Sequence, residues 1–241
     1  MHFTGDSTVG DIVAGNSRTA AVFQEFGIDF CCGGRRTLAA ACLQHNLDED
    51  AVLSAVEQVC EGPAVSVRFD TWSPEELIGH IVANHHAYVR RAIPSLIAFT
   101  KKLAAVHGSR HPELTEIARI TEGIAAEMTT HMAKEERVLF PYISALSQAV
   151  REGVSAPPAP FGPVENPIRM MEEDHDAAGA AMARIRELTS GYAVPEDGCT
   201  TYRVCFEELN AFERDLHEHV HLENNILFPA ARKLASPIAA G

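Results

Sequence analysis

The sequence predicts an all-α protein, a four-helix bundle preceded by a small N-terminal helical domain. Three observations lead there. Four long segments carry apolar residues at steps of three and four, as helices that bury one face do. Two stretches, His131-Met-Ala-Lys-Glu135-Glu-Arg-Val-Leu139-Phe140-Pro141 and His219-Val-His-Leu-Glu223-Asn-Asn-Ile-Leu227-Phe228-Pro229, are near copies set 88 residues apart. Residues before about position 62 show shorter helical segments broken by turn signals. The expected organisation is a helical domain over 1–62, a linker over 63–73 and the bundle over 74–236.

Composition sets bounds on function. A chain of 241 residues with 46% hydrophobic content can bury one large core and a small second one. A net charge of −13 disfavours binding to nucleic acid or to an anionic membrane. No apolar run approaches the roughly 18 residues of a membrane span. The opening Met-His-Phe-Thr-Gly-Asp lacks a charged region followed by an apolar one, so a cytoplasmic location is expected. In that compartment the six cysteines read as reduced thiols.

In the N-terminal domain, Ser17 can cap a helix that Gly27 ends, Thr37 a second through Gln44, and Asp48 a third through about Val59. Between the first two lies Asp29-Phe30-Cys31-Cys32-Gly33-Gly34-Arg35-Arg36, a glycine turn with adjacent thiols. Two arginines and a nearby helix start would favour thiolate, which makes Cys31 and Cys32 candidate reactive thiols; the alternative is a turn whose cysteines only pack. Cys42 and Cys60 fall on apolar helix faces and read as packing residues.

Ser73-Pro74-Glu75-Glu76 opens the first long helix, with Ser as cap, Pro in the first position and acids in the first turn. It runs to about Lys102, and Pro94 should kink rather than end it. Its stripe of Ile78, Val82, Val89, Ile93 and Leu96 passes through His86, but His85 shares a face with Ile81 and Tyr88, so periodicity leaves the two open. The second helix carries Leu114, Ile117, Ile124 and Met128 into His131 and Glu135. A crossover over about 150–166 contains Pro157, Pro158, Pro160 and Pro163, which makes it stiff and extended. The third helix, from about Pro167 to Leu188, places His175 on its apolar face. The fourth carries Tyr202, Cys205, Leu209, Phe212 and Leu216 into His219 and Glu223.

Residues i and i+4 of a helix share a face, so each His/Glu pair aims an imidazole and a carboxylate at one point. Both pairs lie in an apolar stripe, where a carboxylate needs a partner. One such pair could be a hydrogen bond within a core; two in the same register point to a cation between them. The repeat selects His86, because His175 follows it by 89 residues, against the 88 that separates the two pairs. Four histidines and two glutamates then converge, enough for two metal ions with an open position on each when the carboxylates and an oxide or hydroxide bridge. Mixed imidazole and carboxylate ligation suits iron better than the thiolate-rich sites of structural zinc. His217-Glu218-His219-Val220-His221 also satisfies the zinc-protease pattern H-E-x-x-H. His217 and His221 share a face with Glu213, Arg214 and Asn224, off the stripe, so a solvated face is expected there instead.

His131-x-x-x-Glu135-Glu136-x-x-Leu139-Phe140-Pro141, its echo at His219 and Glu223, and the first-helix histidines resemble the hemerythrin-like di-iron fold. The Asp29-Phe30-Cys31-Cys32-Gly33-Gly34 stretch in a small helical domain resembles the repair-of-iron-centres family, which restores iron–sulfur clusters damaged by oxidative or nitrosative stress. The resemblance spans nearly the whole chain. It implies that His86, His131, Glu135, His175, His219 and Glu223 bind two iron ions in an oxo- or hydroxo-bridged centre, the carboxylates bridging. Implied partners are damaged iron–sulfur proteins, with nitric oxide or oxygen as small ligands, no nucleic acid and no membrane; a homodimer is allowed. Oxygen-carrying hemerythrins use a fifth histidine for which no suitable position exists. The alternative is a di-iron protein that senses or reduces nitric oxide or oxygen.

Overall fold

A computed structural model of the chain describes residues 3–61 and 67–236. As expected, the described residues are helical, with one isolated bridge between Thr8 and Thr37. Four short helices come first: α1 (Val9–Gly15), α2 (Thr19–Glu25), α3 (Leu38–His45) and α4 (Glu49–Glu61). Four long ones follow. Helix α5 (74–107) comprises Pro74–His80, a π-helical turn Ile81–His86 and Ala87–His107. Helix α6 (113–152) comprises Glu113–Lys134, a π turn Glu135–Leu139 and Phe140–Glu152. Helix α7 is Glu165–Leu188, and α8 (200–235) comprises Thr200–His221, a π turn Leu222–Leu227 and Phe228–Ala235. No helix among the described residues is long and apolar enough to cross a membrane.

The chain forms two compact units that do not follow sequence order: residues 1–79, 142–168 and 217–241 in one, 80–141 and 169–216 in the other. The second is a four-helix bundle. Apolar side chains from all four long helices meet inside it, among them Leu96, Ile124, Met182, Ile185, Leu209 and Phe212. Pro94 stays within an unbroken α5, as predicted, because its helix continues on both sides to Ala87 and His107.

In the first unit, Thr8 and Thr37 cap α1 and α3, accepting from the amides of Asp11 and Ala40 at 3.1 and 3.2 Å. Asp48 accepts from Asp50 at 3.1 Å before α4. The expected cap at Ser17 is not formed: α2 begins at Thr19 with Arg18 at its N-cap position and no side-chain cap bond, and Asn16 accepts from the Arg18 amide at 3.1 Å in the turn before it. Ser73 and Glu76 form a reciprocal capping box, the Ser73 amide donating at 2.8 Å and the Glu76 amide at 3.3 Å. Of the expected linker, residues 63–66 lie outside those described. In the rest of it, Phe69–Thr71 forms a single 3-10 turn, Phe69 meets Trp72 edge-on at 4.9 Å, and the Val67 carbonyl accepts from the Ser17 amide at 3.3 Å.

The Cys31-Cys32 turn is packed against the last helix of the same unit. Asn225 donates to the carbonyls of Phe30 and Cys31 at 3.2 and 2.8 Å. A Cβ at Gly34 would come within 2.5 Å of both the Phe30 carbonyl and the Asn225 side chain. Gly34→Ala is therefore expected to cost about 1–3 kcal/mol through this close approach. Gly79→Ala, in a helix with nothing within 4 Å of the added carbon, should be neutral or stabilise by up to about 1 kcal/mol. Guanidinium denaturation of the two variants checks the pair.

Candidate metal centre

Within the bundle unit, three histidines and a glutamate meet in a site closed to solvent: His86, His131, Glu135 and His175 are at most 1% exposed. The π turn Ile81–His86 ends on His86, and the turn Glu135–Leu139 begins on Glu135. Such turns widen a helix by one residue and re-aim the side chains at its edges. Nε2 of His86 lies 3.3 Å from Glu135 Oε2, and Nε2 of His131 lies 3.4 Å from the same oxygen. Nε2 of His175 sits 3.0 Å from Nε2 of His131. His131, Glu135 and His175 each offer a ligand atom within 4.8 Å of the others.

The far side of each ring fixes which nitrogen faces inward. Nδ1 of His86 is 2.6 Å from Glu136 Oε1, which also accepts from Arg90. Nδ1 of His131 is 3.2 Å from Asp174 Oδ2, which also accepts from Lys134 at 3.1 Å. An ionised carboxylate only accepts, so in both rings Nδ1 carries a hydrogen and Nε2 is the nitrogen turned on Glu135. Burial works against ionisation of Glu136, yet the hydrogen bonds from His86 and Arg90 hold its carboxyl below the usual carboxylate range. Asp174 is held low in the same way, against burial, by His131 and Lys134. Imidazole nitrogens turned inward around a buried carboxylate fit a metal ion.

The sequence left His85 and His86 open at the level of periodicity, and the geometry separates them. His86 faces Glu135, whereas Nδ1 of His85 lies 3.0 Å from Asp215. Sequence reasoning missed Glu136 and Asp174 as partners of the histidines. A signal existed, since each adjoins a predicted ligand in sequence.

In the other unit, His219 and Glu223 are fully buried, with Nε2 and Oε1 3.1 Å apart, and Glu223 lies in the π turn Leu222–Leu227. The expectation of a solvated His217/His221 face is corrected here. His221 is 2% exposed, its Nδ1 is 3.4 Å from the Phe30 carbonyl, and Phe30 meets the rings of His217 and His221 edge-on. Burial pushes the His221 imidazole down to about 4. The face was judged against the bundle alone, but the N-terminal domain covers it.

At the Cys31-Cys32 turn the electrostatics differ from those expected. Asp29 accepts from the amides of Cys31, Cys32 and Gly33 at 2.9, 3.0 and 2.9 Å, and its Oδ1 is 3.1 Å from Cys31 Sγ. Cys31 is buried, and its hydrogen bond with Cys32, burial and the nearby Asp29 charge push its thiol well above the ordinary range. Cys32, burial and the Asp29 carboxylate, not the arginine pair, set the environment of this sulfur. Cys32 is half-buried with its sulfur 4.0 Å from that of Cys31, and Asp29, Cys31 and Cys32 together offer three ligand atoms within 4.8 Å.

Comparison with known proteins agrees with this geometry. Residues 77–231 match the model described as the hemerythrin HHE cation binding domain, and residues 5–59 match a domain of unknown function, DUF542. The iron-sulfur cluster repair protein YtfE of Dickeya chrysanthemi is 35% identical over 231 residues, covering 96% of this chain and 98% of the relative. The protein of the same name from Pectobacterium atrosepticum is 34% identical over 226 residues, 94% of this chain and 96% of its own. This chain belongs to the hemerythrin-like iron–sulfur cluster repair family. The relative of Salmonella paratyphi B, at 31% identity over 226 residues, carries the same name. The hemerythrin-like domain indicates that the cation is iron, and the His/Glu cluster fits it.

If Glu136 holds His86 in its inward tautomer, Glu136→Ala should weaken iron binding about 10- to 100-fold. Glu173→Ala should leave it unchanged, because Glu173 is exposed and only pairs with Arg169 at 3.9 Å. Iron retention against a competing chelator measures both.

Proposed function

We propose that this protein repairs iron–sulfur clusters damaged by oxidative or nitrosative stress, using a centre of two irons held by His86, His131, Glu135, His175, His219 and Glu223. The observation that carries the reading is the pair of tautomer-fixed histidines, His86 and His131, turned on the buried Glu135. The second His/Glu pair, repeated 88 residues on and equally buried, supplies the rest of the ligand set. Glu135 and Glu223 would supply the carboxylate ligands of that centre.

Iron bound there supplies a redox-active cation that can exchange ligands with small diatomics such as nitric oxide. The chain's own residues set the conditions. Glu136 and Asp174 orient His86 and His131, and Phe140 stacks on His86 with ring centroids 5.8 Å apart. Met128 and Leu139, both buried on the helix that carries His131 and Glu135, keep bulk water out. Protonation of Glu135 or Glu223 would weaken the hold of these carboxylates on a bound metal. Asp29, Cys31 and Cys32 form a second donor group suited to accepting iron in passing, since a metal deprotonates a thiol that is otherwise neutral.

The clients of this reading are iron–sulfur proteins, the class that the relatives' name specifies. Iron-loaded protein added to an iron–sulfur hydratase inactivated by nitric oxide should restore its activity. The Glu135→Ala/Glu223→Ala double variant should restore no more than a protein-free control. Cys31→Ala/Cys32→Ala should slow recovery while leaving bound iron unchanged. Full recovery with the glutamate variant would overturn the role given to the centre.

A further inference from the structure

Cys199 stands immediately before α8, and neither its spacing nor the metal centre gives it a role. It is the exposed one of the six cysteines. Its Sγ lies 3.5 Å from Nε2 of His107, the last residue of α5. The His107 ring is buried, 8% exposed, and packs edge-on against Tyr202 with centroids 5.6 Å apart. Its other nitrogen, Nδ1, is buried with no hydrogen-bond partner among the described residues. The sulfur is thus the polar contact on which a buried imidazole depends, and that contact strengthens when the sulfur is anionic.

The backbone acts in the same direction. Hydrogen bonding from the Tyr202 backbone, opposed by burial as the next largest influence and aided by Thr201, holds the Cys199 thiol below the ordinary range. The ionisable groups around the thiol are His107, Arg110, His111, Glu113 and Asp197. Asp197, two residues before the cysteine, would oppose a thiolate, but its carboxylate is engaged by His111 at 3.0 Å and Arg110 at 3.2 Å. Glu113 is engaged by the other nitrogen of His111 at 3.2 Å. Tyr202, His111 and Pro195 also line an open cavity of about 270 Å³. Elsewhere the chemistry runs the other way, since burial pushes the thiols of Cys42 and Cys205 up, the latter to about 12.

We propose that Cys199 is a reversible modification site for low-molecular-weight disulfides, with His107 as the residue that positions its sulfur. The Cys199 thiolate attacks one sulfur of the disulfide and forms a new S–S bond. The original S–S bond breaks, its electron pair leaves on the departing thiolate, and that thiolate takes a proton from water. Cys199 is oxidised and the small disulfide is reduced; attack by a second thiol reverses the exchange.

The test exposes the iron-loaded, full-length protein to oxidised glutathione across pH and follows each cysteine by peptide mass mapping. The adduct should form on Cys199 about tenfold or more faster than on Cys42 or Cys205. Its pH–rate midpoint should lie below that of Cys199 in the urea-unfolded chain. His107→Gln should slow the reaction several-fold at neutral pH and move the midpoint upward, with iron content unchanged. A Cys199 midpoint equal in folded and unfolded chains would overturn the proposal, and that comparison does not depend on any variant folding. A His107→Gln profile identical to the wild type would remove His107 from it.

Discussion

The constraint on which this structure depends is the burial of Glu135. A carboxylate with no solvent exposure sits inside an apolar helical bundle, with imidazole nitrogens 3.3 and 3.4 Å from one of its oxygens. Burying such a group without compensation costs several kcal/mol or forces it to take up a proton. The imidazoles turn Nε2 on it, because Glu136 and Asp174 hold hydrogens on the far side of the rings. A cation there would compensate the buried charge and take the inward nitrogens as ligands. Glu223, fully buried beside His219, sets the same condition in the other unit.

Around that condition the helices are adapted rather than ideal. Three of the four long helices widen into π turns at the residues in question, Ile81–His86, Glu135–Leu139 and Leu222–Leu227, whereas α7 delivers His175 from a regular helix. A π turn forgoes regular hydrogen bonding, so it persists where surrounding packing and ligands over-determine it. The polar chains running outward, His86 to Glu136 to Arg90 and His131 to Asp174 to Lys134, connect the buried site to the bundle surface. Each ends on a cation, and the outer carboxylates are held below the usual carboxylate range.

The His/Glu pairs were legible because ligands that break an otherwise apolar stripe stand out against its period, and their repetition excluded chance. His86 was separated from His85 by that same repetition, which helical periodicity could not do. Glu136 and Asp174 were not legible as partners, since that requires knowing which helices face each other. The π turns were invisible because i,i+4 spacing reads the same on either side of a bulge. His221 was misread as solvated because its cover, Phe30, lies 191 residues away in sequence. At the Cys31-Cys32 turn, counting nearby arginines gave the wrong sign for Cys31, since the hydrogen bond with Cys32, burial and then the Asp29 carboxylate that touches its sulfur all push the thiol up.

Metal analysis of the purified protein, joined to Mössbauer spectroscopy of iron-57-enriched material, tests the central claim most directly. The account predicts two irons per chain that behave as one spin-coupled pair, with both signals lost together when Glu135 is replaced. A single metal per chain, two magnetically independent irons, or zinc occupying the site in protein made under iron-sufficient conditions would contradict it.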